Sequence, residues 1–332
     1  MAAFFESARN FFGLPRPCGG AFFCLPGAAA WYIMDAEGMN MRLHSECVFC
    51  IFEHHWAIAR RCPDEERQMA FLREVCQTLA QADPRFSAPV VTAHLQECSA
   101  RHFPELDNYA ALKDAYNDLL LERLPQLRER VRAQEDPLRL AVWMAMAGNY
   151  IDFGVLKDVD QGRLLAMLAT PEEKALSGGE LDRLREDLRR ARRLTYITDN
   201  CGEIVLDRLL MEQIAAQYPQ VEITALVRGG EVLNDATEAD ARRVGVDKVA
   251  RVVGNGSNIG GTQREFLSAA AREAVAGADV LIAKGQGNFE TLSGAGLNVY
   301  YLLLAKCPHY TAWFGMEHMA GQLINERRFF VR

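Results

Sequence analysis

Across residues 47–132 apolar side chains recur at intervals of three and four, as in Phe49, Phe52 and Trp56, in Phe71, Val75 and Leu79, and in Leu112, Tyr116, Leu119 and Leu120. A helix with one buried stripe has this spacing. The pairs Pro63-Asp64, Asp83-Pro84, Phe103-Pro104 and Asp136-Pro137 interrupt it, because proline lacks an amide hydrogen and restricts the residue before it. Residues 41–135 are therefore expected to form a helical bundle domain. A further helix over residues 138–147, apolar on all sides, runs into the polar cluster Gly148-Asn149-Tyr150-Ile151-Asp152.

Beyond an arginine-rich amphipathic stretch at 181–193 the rhythm changes. Residues 194–198, 221–227, 248–253, 279–283 and 310–314 are short runs rich in β-formers. Helical patterns at 204–218, 238–244 and 264–276 separate the first four. Alternation of β and α implies parallel strands joined by crossover helices. The expected fold is α/β: a C-terminal three-layer, doubly wound, mostly parallel Rossmann-like sheet over residues 136–332, with an N-terminal α-helical bundle domain. Neither an internal repeat nor a low-complexity tract is present.

Ligands of an open parallel sheet bind beyond the carboxyl ends of its strands. Those positions hold Thr198-Asp199-Asn200-Cys201-Gly202-Glu203, then Arg228-Gly229-Gly230 with Asn234-Asp235, then Gly254-Asn255-Gly256, and finally Lys284-Gly285-Gln286-Gly287-Asn288-Phe289-Glu290. Asp199, Asn200 and Asp235 offer hard oxygen donors from neighbouring strand ends, a set that suits Mg²⁺ or Mn²⁺, with Co²⁺ and Ni²⁺ as further candidates. Lys284 is expected to add a positive charge beside them, and Gly285 and Gly287 to let backbone N–H groups approach an anion. The combination favours phosphoryl chemistry. Each fragment also has a plain structural use: Asp-Asn commonly forms a turn or cap, and Glu203 and Asp207 suit the first turn of a helix. No GxGxxG follows the first strand, and the Lys284 segment is not a Walker A loop. What favours function is the coincidence of Gly, Asn, Asp or Lys at four strand ends on one edge.

Composition narrows the partners. The chain has 332 residues, 49% hydrophobic and 24% charged, enough for a full core and two domains. A formal charge of −7 without a Lys/Arg-rich run argues against nucleic acid and anionic membrane, leaving a small phosphorylated metabolite as the expected partner; oligomeric state leaves no trace in the sequence. Nine scattered cysteines point to a reducing, cytoplasmic setting, and no run reaches the roughly 18 consecutive apolar residues that span a bilayer. Residues 19–34 imitate the apolar region of a signal peptide, but Pro26 interrupts them and no basic cluster precedes them; residues 1–40 are expected to be a disordered extension. Cys47-Val48-Phe49-Cys50 places two thiols and His54 on one helix face. Core cysteines, a second metal or structural site, and a redox pair all remain open for it.

Taken in order, residues 46–50, 148–152, 199–203 with Asp207, 229–235 and 284–290 resemble the damage-control phosphatase family, also known as domain of unknown function 89 and as acidic-residue-methyltransferase-1-like. The likeness runs from about Met41 to the C-terminus, and the CxxC marks a prokaryotic branch. It implies a metal held by Asp199, Asn200 and Asp235, and a phosphate bound by Lys284, Gly285, Asn288 and Glu290. The activity implied is metal-dependent hydrolysis of small phosphomonoesters, either sugar phosphates or damaged phosphometabolites. Asp199, Asp235 and Lys284 are then the catalytic groups, Asp199 as nucleophile or as metal ligand, while Asn149, Asp152 and Glu203 complete the substrate site. Two rivals follow. An S-adenosylmethionine-dependent protein carboxyl methyltransferase, an activity attributed to a eukaryotic relative, would show a glycine-rich loop after the first strand. A non-catalytic phosphometabolite-binding protein would bind without turnover.

Overall fold

The computed structural model describes residues 42–83, 85–106, 109–152, 159–170, 176 and 179–329. The expected extension at 1–40 lies outside these residues. Helices α1 (Ser45–Ala59), α2 (Glu65–Gln81), α3 (Ala88–His102) and α4 (Tyr109–Arg132) occupy the stretch where the three-and-four spacing predicts them. Two of the Asp/Pro pairs act as helix starts. Asp64 caps α2 by accepting from the Glu66 and Arg67 amides, and Asp136 caps α5 (Pro137–Gly148) by accepting from that of Arg139. Helices α1 to α3 bury a common core of Ile51, Phe71, Val75, Val91, Leu95 and Phe103. Tyr116, Leu120, Leu124 and Val131 of α4 instead join the core around α5, so packing partners change between α3 and α4, ahead of the boundary read at residue 135.

After α6 (Gln161–Ala169) and α7 (Glu180–Arg190), strands and helices alternate: β1 (Arg193–Ile197), α8 (Glu203–Gln217), β2 (Glu222–Val227), α9 (Glu238–Arg243), β3 (Arg251–Gly254), α10 (Ala269–Ala276), β4 (Val280–Lys284), α11 (Gly285–Leu292), β5 (Val299–Leu304), α12 (Pro308–Phe314) and β6 (Gly321–Asn325). The sheet runs β3-β2-β1-β4-β5-β6, parallel throughout except for β6, which is antiparallel to β5. Successive residues of a strand face opposite layers. In β5, Tyr300, Leu302 and Leu304 enter the core shared with α4, α5 and α8, whereas Val299, Tyr301 and Leu303 meet Phe289 and Leu292 of α11. The architecture is thus the expected three-layer α/β fold.

One strand differs. Residues 310–314, expected in the sheet, form helix α12, and β5 and β6 supply the remaining strands. Pro308 in the first turn and Gly315 at φ 62° after the last turn frame that helix, and they outweigh the β-propensity of its aromatic residues. No helix among the described residues is long and apolar enough to cross a membrane.

The chain leaves β1 toward β2 and β3, then returns to β4 on the other side of β1. A crevice opens at such a reversal, and the segments after β1 and β4 border it.

Candidate functional site

Main-chain pairing brings the loops after β1 and β2 together. Asn200 and Asp235 form an isolated antiparallel bridge. Ala236 N donates to Asp199 O at 2.7 Å, and Cys201 N donates to Asn234 O at 2.8 Å. The two carboxylates share one guanidinium: Arg228, buried at the end of β2, donates from Nε to Asp235 Oδ2 at 2.6 Å and from a terminal nitrogen to Asp199 Oδ1 at 3.3 Å. Its other terminal nitrogen donates to Gly261 O at 3.1 Å and to Asn288 Oδ1 at 3.2 Å. Asp199, Asp235 and Asn288 therefore meet around a single cation, with Asn200 joined to Asp235 by the bridge.

The far side of Asp199 is fixed by amides. Its Oδ2 accepts from Asn149 Nδ2 at 3.1 Å and from Asn200 Nδ2 at 2.9 Å. Asn149 has no freedom to turn away, since its Oδ1 accepts from the Leu304 amide at 3.1 Å and its carbonyl from Lys306 Nζ at 2.8 Å. This explains the polar cluster after the apolar helix: α5 buries Leu138 and every residue from Leu140 to Gly148 and delivers Asn149 beneath the sheet edge. Gly285 (φ 75°) lies against the same carboxylate, and a Cβ built there would meet Asp199 Oδ2 at 1.9 Å. The anion this glycine admits is thus a side chain of the protein itself. At Gly287 a built Cβ would meet the Gly260 carbonyl oxygen at 2.1 Å.

Lys284 does not stand where the sequence suggests. Its ammonium is fully buried and spends all three protons within the fold, on Ala145 O at 2.7 Å, Glu203 Oε1 at 2.5 Å and Asp207 Oδ1 at 2.7 Å. Nothing is left to meet a phosphate. Glu203 links this cluster to Asp199, because its Oε2 accepts from Asn149 Nδ2 at 3.2 Å and Asn200 Nδ2 at 3.0 Å. Lys284 therefore supports the site from below through Glu203. Asp152 pairs with Lys306, and Glu290 accepts from Gln286 Nε2 at 2.7 Å.

Electrostatics across this region are lopsided. Six carboxylates gather here, Asp152, Asp199, Glu203, Asp207, Asp235 and Glu290, and five of them pair with Arg228, Lys284 or Lys306 by ion pair or through a shared cation. Burial, with Asp235 and Glu203 beside it, pushes Asp199 well above the usual carboxylate range. Burial raises Asp235 to about 6 although Arg228 opposes it, Asp207 to about 7 although Lys284 opposes it, and Glu290 to about 7 although Gln286 and Tyr310 donate to it. Burial alone would lower Lys284, but Asp207 and Glu203 carry it above its ordinary value.

Such a surplus of buried carboxylates fits a divalent cation, which would offset charge that three basic side chains leave uncompensated. Among the described residues no three His, Cys, Asp or Glu side chains close around one ion. A cation here would draw on two carboxylates and the Asn200 amide, with water or substrate completing its shell. Cys47 is half-buried and Cys50 exposed, both free thiols, and neither is among the buried core residues; partial burial pushes the Cys47 thiol up to about 11. Lys306 and Tyr310 join the region without having been expected there, while Arg228, Asp207 and Gln286, which the strand-end segments and the 199–203 motif included, take roles the sequence did not assign.

Comparison with known proteins agrees with this architecture. The damage-control phosphatase ARMT1-like domain matches residues 43–320. An uncharacterized protein of Methanocaldococcus jannaschii is 32% identical over 298 residues, covering 86% of this chain and 96% of its own length. A damage-control phosphatase of Archaeoglobus fulgidus is 31% identical over 274 residues, covering 80% and 93%, and one of Pyrococcus horikoshii is 38% identical over 176 residues, covering 51% and 58%. The crystal structure of a protein of the domain of unknown function 89 family from Pyrococcus horikoshii superposes with a TM-score of 0.67 at 28% identity, over 86% of this chain and 100% of that one.

Proposed function

The chain belongs to the damage-control phosphatase ARMT1-like family, and we propose that it is a metal-dependent phosphatase of small phosphomonoesters, either sugar phosphates or damaged phosphometabolites. The observation that carries this reading is the meeting of Asp199 and Asp235 on one guanidinium, with Asn200 bridged to Asp235, at the sheet's reversal point.

Asp199, Asn200 and Asp235 hold a divalent cation, Mg²⁺ or Mn²⁺ by their oxygen chemistry and Co²⁺ or Ni²⁺ by size. When bound, the ion polarises the phosphoryl oxygens and offsets negative charge in the transition state. In hydrolysis a P–O ester bond breaks, a new P–O bond forms to water or first to Asp199, and the alcohol leaves with a proton. Arg228 touches both acids and the Asn288 amide, which places it better than Lys284 to balance an incoming phosphate. Asn149 keeps Asp199 in register, and Asp152 and Glu290 offer acceptors to hydroxyl groups of the substrate.

A panel of phosphorylated metabolites assayed with Mg²⁺, Mn²⁺, Co²⁺ and Ni²⁺, and again after chelation, tests the proposal. Turnover that appears with metal and disappears with chelator is expected. Metal-independent turnover, or tight S-adenosylmethionine binding in a calorimeter without metal, refutes it, and binding of phosphometabolites without any turnover favours the non-catalytic rival.

A further inference from the structure

The loop that carries Asp235 contains a backbone conformation that its sequence does not favour. Leu233 has φ 45°, and among the described residues Met319 is the only other non-glycine residue with positive φ. Leu233 follows Val232 in a turn closed by the Asp235 amide, which donates to Val232 O at 3.0 Å. At this first central position a positive φ ordinarily calls for glycine, and a branched side chain there needs outside support.

That support comes from the helical region. The Leu233 amide points out of the turn and donates to Gln96 Oε1 of α3 at 3.1 Å, across 137 positions of sequence. Immediately past Leu233, Asn234 donates from Nδ2 to Ile151 O at 3.2 Å and accepts from the Cys201 amide, and Asp235 forms its bridge to Asn200. Lys113 of α4 donates to Glu231 of the same stretch at 2.6 Å, and the segment after β3 is tied to α3 as well, Asn258 donating to Glu97, the residue after Gln96, at 2.8 Å. The hydrogen bonds of Asp199 and Asp235 go to other residues, and Gln96 reaches them only through Leu233.

We propose that Gln96 is a positioning residue. By accepting the Leu233 amide it holds the left-handed turn that aims Asp235 at Asn200 and Arg228, and so sets the affinity of the site for its cation. The proposal rests on the reading of Asp235 as a metal ligand. Without the acceptor, Leu233 relaxes toward negative φ, and Asp235 is displaced from the Asp199 loop.

Two measurements on the full chain test it, Mn²⁺ binding by calorimetry without substrate and amide hydrogen exchange across residues 232–236. Q96M, which removes the acceptor, weakens Mn²⁺ binding about tenfold and speeds exchange of the Leu233 amide about tenfold, the scale expected when a strained turn loses its support. At saturating Mn²⁺ its kcat stays within about twofold of wild type, because the relaxed turn is the only defect. Q96E retains an acceptor oxygen and behaves as wild type. L233G accepts positive φ without cost, so in that background Q96M changes Mn²⁺ affinity by less than about twofold. Unchanged exchange in Q96M, unchanged Mn²⁺ affinity where the wild type binds the ion, or a loss in Q96E equal to that in Q96M overturns the proposal. Should the wild type itself take up no Mn²⁺, the metal reading fails separately, and exchange at 232–236 still decides whether Gln96 holds the turn.

Discussion

Replacing Lys284 with methionine separates a supporting role from a phosphate-binding one. The substitution keeps most of the apolar stem but leaves the Glu203 and Asp207 carboxylates, both fully buried, without their shared cation, and it orphans the Ala145 carbonyl. Breaking a buried pair by removing one partner costs about 3–5 kcal/mol, and two carboxylates are stranded here, so the upper end of that range applies. A loss of this size is a large share of the about 5–15 kcal/mol that stabilises a typical domain, and it lowers the melting temperature by about 10 °C or more. The sign with pH follows from Asp207. Its folded pKa, about 7, already lies above the ordinary 3.8 while Lys284 holds it down. Losing the ammonium raises it further. A carboxyl raised in the folded state contributes stability below its unfolded pKa and loses it as pH climbs through the folded value. Lys284→Met is therefore least destabilised near pH 5 and most destabilised above pH 7, and adding Asp207→Asn recovers part of the loss at pH 8. Urea unfolding at pH 5.5, 7 and 8.5 measures this directly. If Lys284→Met unfolds like the wild type at all three values while its KM for a phosphate substrate rises tenfold, the ammonium faces the substrate and the assignment is wrong.

Other substitutions probe the crevice. Asp199→Asn lowers kcat/KM about 10²–10³-fold, the scale of a lost electrostatic group, while the metal-free protein melts no earlier than wild type, because burial and two neighbouring acids already disfavour that charge; a calorimetric scan beside the rate assay checks both. Gly285→Ala places a methyl group 1.9 Å from Asp199 Oδ2 on a backbone with φ 75°; activity collapses, and stability falls by about 1–3 kcal/mol from the strain alone, whereas near-normal turnover would show that Asp199 need not touch this backbone. Glu290 is raised from 4.5 to about 7, so its contribution to stability is complete below about pH 4.5 and lost by about pH 7. Glu290→Gln is accordingly more stable than wild type at pH 8, by about 3 kcal/mol at most, and the two converge near pH 4.5; parallel urea curves at every pH contradict this.

The sequence discloses the β1 to β4 alternation because each run is short, rich in β-formers and followed by turn residues. It also discloses Asp199, Asn200 and Asp235 as neighbours, since the carboxyl ends of parallel strands lie at one edge. β5 is harder to read: Val-Tyr-Tyr-Leu-Leu-Leu is buried on both faces, and a continuous apolar run has no period to separate strand from helix. The aromatic residues at 310–314 mislead in the opposite direction, although Pro308 and Gly315 marked a helix. Lys284 is the most instructive case. Its place at a strand end suggests a phosphate contact, but its partners Ala145, Glu203 and Asp207 lie 139, 81 and 77 residues away, and no local pattern reveals a side chain that turns inward. Arg228 was visible at the end of β2 for the same positional reason, yet its bonds to Asp199, Asp235 and Asn288 exist only in three dimensions.

The lacing of the β1 and β2 loops has a further consequence. Because Asp199 and Asn234 are joined to the opposite loop through their own carbonyls, the spacing between the two acids is set by the main chain and by the turn that Gln96 supports. The side chains of Asp152, Gln286 and Glu290 make no part of this main-chain pairing. On the proposed function, substitutions at these three positions would retune which leaving group is admitted while the two acids keep their span, a division of labour that would let one scaffold accept different phosphorylated compounds.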